Sequence, residues 1–130
     1  MSIELRGLAP LLQVYDMPTS IHFYRDLLGF ELVNHAPDYA PGRFHWALLR
    51  FSGTELMLNT KYEFDEQRPP KHALTHDIGL YFGCPDVDAA YRYIREQGIE
   101  AKEPRVAPYG MKQLYIQDPD GFSLCFQWPA

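Results

Sequence analysis

Asp16-Met17-Pro18-Thr19-Ser20-Ile21-His22-Phe23-Tyr24-Arg25-Asp26-Leu27-Leu28-Gly29-Phe30-Glu31 decides the fold, because its plan recurs once more along the chain. Asp16 to Ser20 reads as a helix start, with Pro18 near the first helical position, where its missing N–H costs nothing. Ile21, Phe23, Tyr24, Leu27 and Leu28 continue the helix, and Gly29 supplies the φ > 0 freedom that ends it. Asp86-Val87-Asp88 opens a second helix through Ala89, Ala90, Tyr93 and Ile94, closed by Gly98. The two starts lie 70 residues apart and the two closing glycines 69, and Glu31 and Glu100 keep the offset of 69. Such regularity marks an internal duplication.

Strands are expected on either side of each helix. In the first half they fall at Leu8–Val14, Glu31–Ala36, Phe44–Phe51 and Glu55–Asn59, the last two joined through Ser52-Gly53-Thr54. In the second half they fall at His76–Phe82, Ile99–Lys102, Lys112–Gln117 and Phe122–Gln127, with Asp118-Pro119-Asp120-Gly121 as a strong turn. The expectation is an α+β fold of two βαβββ modules, about residues 5–62 and 74–128, joined by a polar, proline-containing linker at about 63–73. Each module alone is small, so the two are expected to complete one domain across residues 1–130.

The composition excludes several classes. At 130 residues the chain has room for one domain with a real core. Its 46% apolar and 22% charged content is that of a globular protein, not a disordered one. The longest apolar run, Trp46 to Leu49, is far too short to span a membrane. Glu4 and Arg6 interrupt the place where a signal peptide would need a continuous apolar stretch. Two cysteines, Cys84 and Cys125, make no disulfide scaffold, and a cytoplasmic location is expected. A net charge of −5 with scattered basic residues argues against nucleic acid as a partner. The 15% aromatic content suits both strands and pockets for flat ligands.

Val14-Tyr15-Asp16, the run Phe23 to Phe30, and Tyr115-Ile116-Gln117-Asp118-Pro119-Asp120-Gly121 together resemble the vicinal oxygen chelate superfamily. That group holds the glyoxalases, bleomycin-resistance proteins and extradiol dioxygenases, and the resemblance runs from Leu8 to Trp128. It implies curved mixed sheets around a cup, with helices on the convex faces. Metal enzymes of the superfamily place His, Gln or Glu on four inner strands around one divalent metal, which holds adjacent substrate oxygens. The matching positions here read Ala9, Met57, Asp77 and Cys125. Alanine has no donor atom and a thioether is a soft ligand. The resemblance is therefore closest to the metal-free, bleomycin-resistance-like branch, in which Pro10 and the segment Ala107-Pro108-Tyr109-Gly110-Met111 also fit. No cofactor is expected; the runner-up is one divalent metal held by displaced ligands such as His45, Glu55, His76 and Asp77.

Strand alternation assigns the inner face. Tyr81 and Tyr115 should point into the cup and stack on a ligand, with Asp77, Gln113 and Gln127 as its polar contacts. Met57 and Cys125 share that face, and Trp46 joins it if the hairpin register allows. Tyr39, Phe44 and Tyr109 could form a rim. No catalytic residue is legible, since Cys125 and Ser123 have no evident base. The expected function is binding of a small organic molecule by a homodimer. Two alternatives stay open: a metal-dependent lyase, isomerase or dioxygenase, and an antibiotic-sequestering resistance protein.

Overall fold

The computed structural model describes residues 2–60 and 78–130. The chain divides into two compact units, Met1–Arg68 and Pro69–Ala130. The first carries β1 (Leu11–Gln13), a helix, β2 (Glu31–His35), β3 (Trp46–Phe51) and β4 (Thr54–Asn59), in the sheet order β1-β4-β3-β2. The second carries β5 (Gly79–Gly83), α2 (Val87–Glu96), β6 (Arg105–Val106), β7 (Met111–Gln117) and β8 (Ser123–Pro129), in the order β5-β8-β7-β6. In each sheet the first strand runs parallel to the last, and the remaining neighbours are antiparallel. This is the duplicated βαβββ plan, an α+β architecture. The expected linker lies outside the described residues.

Both helices start on an aspartate cap. Asp16 accepts from the Thr19 amide at 3.1 Å and Asp86 from the Ala89 amide at 2.9 Å, each satisfying one orphan N–H of a first turn. The first helix then departs from the sequence expectation. Its α-helical part, α1 (Met17–Ile21), passes into a π-helix over His22–Leu27. The Leu28 amide reaches back five residues to the Phe23 carbonyl at 3.0 Å, and Phe30 reaches the Tyr24 carbonyl at 2.9 Å. The wide turn buries Phe23 and Tyr24 together. Tyr24 meets Phe23 and Phe30 edge-on, with centroids 5.0 and 5.8 Å away, a favoured aromatic geometry. Gly29 closes the helix at φ +96°, and a Cβ there would stand 3.2 Å from the Phe51 ring. Glycine is needed on both counts.

One face of each sheet is core. Leu12, Ala47, Leu49, Leu56 and Leu58 are buried in the first unit, and Leu114, Ile116 and Leu124 in the second, where α2 packs on β7 and β8. Burying a leucine fully is worth about 1.5–3 kcal/mol, so this alternation holds each register in place. Two expectations fail at strand ends. Ile78, inside the strand expected at His76–Phe82, is exposed, because pairing begins only at Gly79 opposite Ser123. The strand expected at Ile99–Lys102 forms instead at Arg105–Val106, beyond Pro104, whose nitrogen has no proton for a ladder.

Candidate functional site

The other face of each sheet is open, and its cross-strand rows are set by register. In the second unit β8 lies between β5 and β7, so Cys125 is paired with Tyr81 on one side and Tyr115 on the other. The next row is Gly83, Gln127 and Gln113. In the first unit the matching rows are Leu11, Met57 and Leu48, then Gln13, Asn59 and Trp46. Trp46 therefore shares a face with Met57. Asn59 donates its amide to the Gln13 carbonyl at 3.0 Å.

Tyr81 and Tyr115 are about half exposed, yet Cys125 between them is 1% exposed. The two rings meet at 87° with centroids 6.2 Å apart, and their hydroxyls are 3.1 Å apart. They roof the thiol. Burial raises the Cys125 pKa, partly offset by the Tyr115 hydroxyl, so the thiol stays protonated at neutral pH. The Tyr115 phenol is also held above its usual range, chiefly by the hydrogen bond with Tyr81, then by burial and by Cys125. Neither group is poised as a nucleophile or base.

Polar groups extend the row. The Gln113 carbonyl accepts from Tyr115 at 3.3 Å, and its amide contacts Gln127 Oε1 at 2.9 Å and Tyr109 Oη at 2.6 Å. A cleft of about 880 Å³ opens beside them, walled by residues 99–103 and 105–108 on one side and by Gln113, Tyr115, Gln117 and Ser123 on the other. That size suits a drug-sized ligand.

Of the expected binding residues, Tyr81, Tyr115, Gln113, Gln127 and Cys125 form this one cluster, and Met57 and Trp46 lie on the open face of the first unit. Asp77 lies outside the described residues, as does His76. The two rings stand perpendicular, so a plane lying face-on to one meets the edge of the other. Phe44 is not a rim residue, being buried with its ring stacked 4.2 Å from His35. Tyr109 does reach the cluster. Lys102 and Arg105, on the cleft wall, escaped the sequence reading, since nothing in a proline-flanked loop says which strand it faces.

A model of the Glyoxalase/Bleomycin resistance protein/Dioxygenase superfamily matches residues 8–126. The chain belongs to that superfamily. Lactoylglutathione lyase from Neisseria meningitidis serogroup A is 28% identical over 131 residues, covering 94% of this chain and 89% of that protein. Among solved structures, TnmS3, an antibiotic binding protein from Streptomyces sp. CB03234, aligns with a TM-score of 0.74 at 24% identity, covering 99% of this chain and all of that one. A bleomycin-binding protein complexed with bleomycin aligns at 0.73 and 19% identity, covering 97% and 100%.

The superfamily's metal chemistry can be tested against the donors present. Met57 sits between Leu11 and Leu48, which offer it no polar support. Cys125 is protonated and roofed, and Ala9 has no donor. The displaced set fares no better among the described residues. His45 lies at the open end of the β3–β4 hairpin, its Nδ1 2.9 Å from the Thr60 hydroxyl and its ring stacked on Tyr39. Glu55 lies at the turn end, bonded to Arg50 at 2.9 Å. No group of three His, Cys, Asp or Glu able to hold a metal forms among the described residues. The described donors by themselves make no divalent-metal set.

Proposed function

We propose that this superfamily member binds a flat, partly apolar organic molecule at the Tyr81–Tyr115 corner and does so without a metal. The carrying observation is that corner itself: two half-exposed rings at right angles beside an 880 Å³ cleft, backed by Gln113 and Gln127. One ring takes the ligand face-on and the other edge-on, while the Gln127 carboxamide and the Tyr81 hydroxyl, held through Gln113, orient its polar groups. A ring contact of this kind is worth about 0.5–1.5 kcal/mol beyond area burial, or roughly 2- to 13-fold in affinity. Titration with flat heteroaromatics and glycopeptide antibiotics, followed by Trp128 fluorescence, should find a ligand that Tyr81→Leu and Tyr115→Leu each weaken by such a factor. A ligand indifferent to both substitutions would place the site elsewhere. Protein purified without chelators should hold less than about 0.2 equivalents of transition metal, because genuine sites fill most of their positions. Near-stoichiometric zinc, nickel, manganese or iron would refute the metal-free reading.

Antibiotic sequestration is the second reading, favoured by the likeness to TnmS3 and the bleomycin-binding protein, whose names record drug binding. We infer a homodimer as well, because Ile3, Leu5 and Leu8 are 82–88% exposed and would be covered by an isologous partner. Sedimentation equilibrium giving only the 15.1 kDa monomer at micromolar concentration would refute it. Free Cys84 and Cys125 suit the reducing cytoplasm, where we place the protein.

A further inference from the structure

The hydrogen bonds of the binding face form one continuous chain. Tyr81 Oη lies 3.1 Å from Tyr115 Oη, and Tyr115 Oη lies 3.3 Å from Gln113 Oε1. Gln113 Nε2 lies 2.9 Å from Gln127 Oε1 and 2.6 Å from Tyr109 Oη. With the carboxamides turned this way, both Gln113 protons go to Gln127 and Tyr109. Its oxygen accepts from Tyr115, which in turn accepts from Tyr81. Tyr81 then shows a ligand only lone pairs, while Tyr109 and Gln127 show it protons.

A carboxamide is nearly symmetric in shape, with oxygen and nitrogen exchangeable by a half-turn. Turning Gln113 and Gln127 together keeps one donor and one acceptor in every contact. Tyr109 and Gln127 now donate to Gln113, which donates to Tyr115, and Tyr115 donates to Tyr81. The Tyr81 proton is freed to face outward. The distances suit this direction too. The 2.6 Å contact is short for N–H···O but ordinary for O–H···O, and 2.9 Å suits an amide donor on either side. A lone tyrosine could rotate its proton unaided; here the rotation is tied to Gln113, which contacts Tyr109, Gln127 and Tyr115 at once, with the Cys125 thiol as a further partner of the Tyr115 hydroxyl.

Resting on the reading that this face binds flat molecules, we propose that Gln113 sets its specificity by reversing the whole chain, so that the Tyr81 hydroxyl accepts from a ligand N–H or O–H and donates to a ligand carbonyl with comparable affinity. The ligand class is then flat ring systems that carry either group, including pairs related by a keto–enol or quinone–hydroquinone change.

Two inert bicyclic probes separate the directions: indole, which offers only an N–H donor, and 1-indanone, which offers only a carbonyl acceptor. The wild-type protein should bind both within about threefold of one another. Gln113→Glu replaces the reversible group with an acceptor that takes protons from Tyr109, Gln127 and Tyr115, locking the outward Tyr81 oxygen as an acceptor. The ratio of the two affinities should shift about five- to tenfold against 1-indanone, the loss of one neutral hydrogen bond. A Gln113→Glu protein that binds the two probes in the wild-type ratio overturns the proposal. A measurement on the unliganded wild-type chain guards against a variant that fails to fold: the Gln113 carboxamide protons should give strong nuclear Overhauser effects to the rings of both Tyr109 and Tyr115. Effects to Tyr109 alone mean a fixed direction and overturn the proposal. If neither probe binds while both effects are seen, the reversible chain stands and the small-molecule reading of the face falls.

Discussion

Cutting Tyr115 back to alanine should expose Cys125 without unfolding the protein. Tyr115 is 46% exposed. An aromatic side chain buries about 150–250 Å², so roughly 100 Å² of this ring leaves water on folding, worth about 2.5 kcal/mol at about 25 cal/mol per Å². Its hydrogen bonds, at 3.1 and 3.3 Å on a half-solvated hydroxyl, add at most about 0.5 kcal/mol each. The total of about 3.5 kcal/mol is an upper bound, because unfolded chains already bury some surface, and it stays below the roughly 5–15 kcal/mol stability of an ordinary domain. Urea denaturation should show a cooperative transition at lower midpoint. Titration of the native protein with a thiol-reactive disulfide should then change from one accessible thiol, the half-buried Cys84, to two. Tyr115→Phe keeps the ring and should keep Cys125 protected. A folded Tyr115→Ala protein whose Cys125 still reacts as slowly as wild type would mean that the ring is not the cover.

Other outcomes follow from the same packing. Asp16→Ala removes the cap of α1 and should cost about 1 kcal/mol in urea unfolding near neutral pH. Its hydrogen bond from Thr19 holds the Asp16 carboxyl below its usual 3.8, so that stabilisation is present above 3.8 and lost as pH falls through the folded value; the gap between wild type and variant should narrow there. At the alkaline end Cys84 and Cys125 are raised above 9.0 and Tyr115 above 10.0, so the unfolded chain gives up these protons first. Stability should therefore fall as pH rises past about 9, and a flat unfolding midpoint from pH 8 to 11 would contradict it.

Much of this was legible from the chain because alternation and duplication are properties of sequence. Leu56 and Leu58, or Leu114 and Ile116, reveal their face by period two, and the paired Asp and Gly positions reveal the two modules. The Tyr81, Cys125 and Tyr115 row follows once β8 is placed between β5 and β7. What stayed hidden depends on rotamers and on backbone not bound to a ladder. The right angle between the tyrosine rings is a choice of side-chain torsion made by packing. The 2.6 Å approach of Tyr109 to Gln113 depends on how a loop folds back across β7. The π-turn at His22–Leu27 comes from burying Phe23 and Tyr24 together, which an ordinary helical period does not announce.

The metal-free reading rests on the neighbours as much as on the donors, and restoring a donor tests this. Cys125→Glu puts the superfamily's own type of ligand at its matching position. The carboxylate would sit where a side chain is 1% exposed, beneath two rings that leave no room for its extra volume. The nearest polar groups are the hydroxyls of Tyr81 and Tyr115, which are hydrogen-bonded to each other, and the Tyr115 hydroxyl also reaches residue 125. Overpacking alone costs about 1–3 kcal/mol, and burying the charge adds to it until the carboxyl takes up a proton. The folded-state pKa of that glutamate would then stand above the unfolded value of about 4.3, so the variant loses stability as pH rises beyond it. The Cys125→Glu protein should accordingly be closer to wild-type stability at pH 5 than at pH 8, and should bind zinc no better than wild type in an isothermal titration at pH 7. Tight stoichiometric zinc, with stability unchanged between those pH values, would show that the surroundings still accept a metal and that only the donors had been lost.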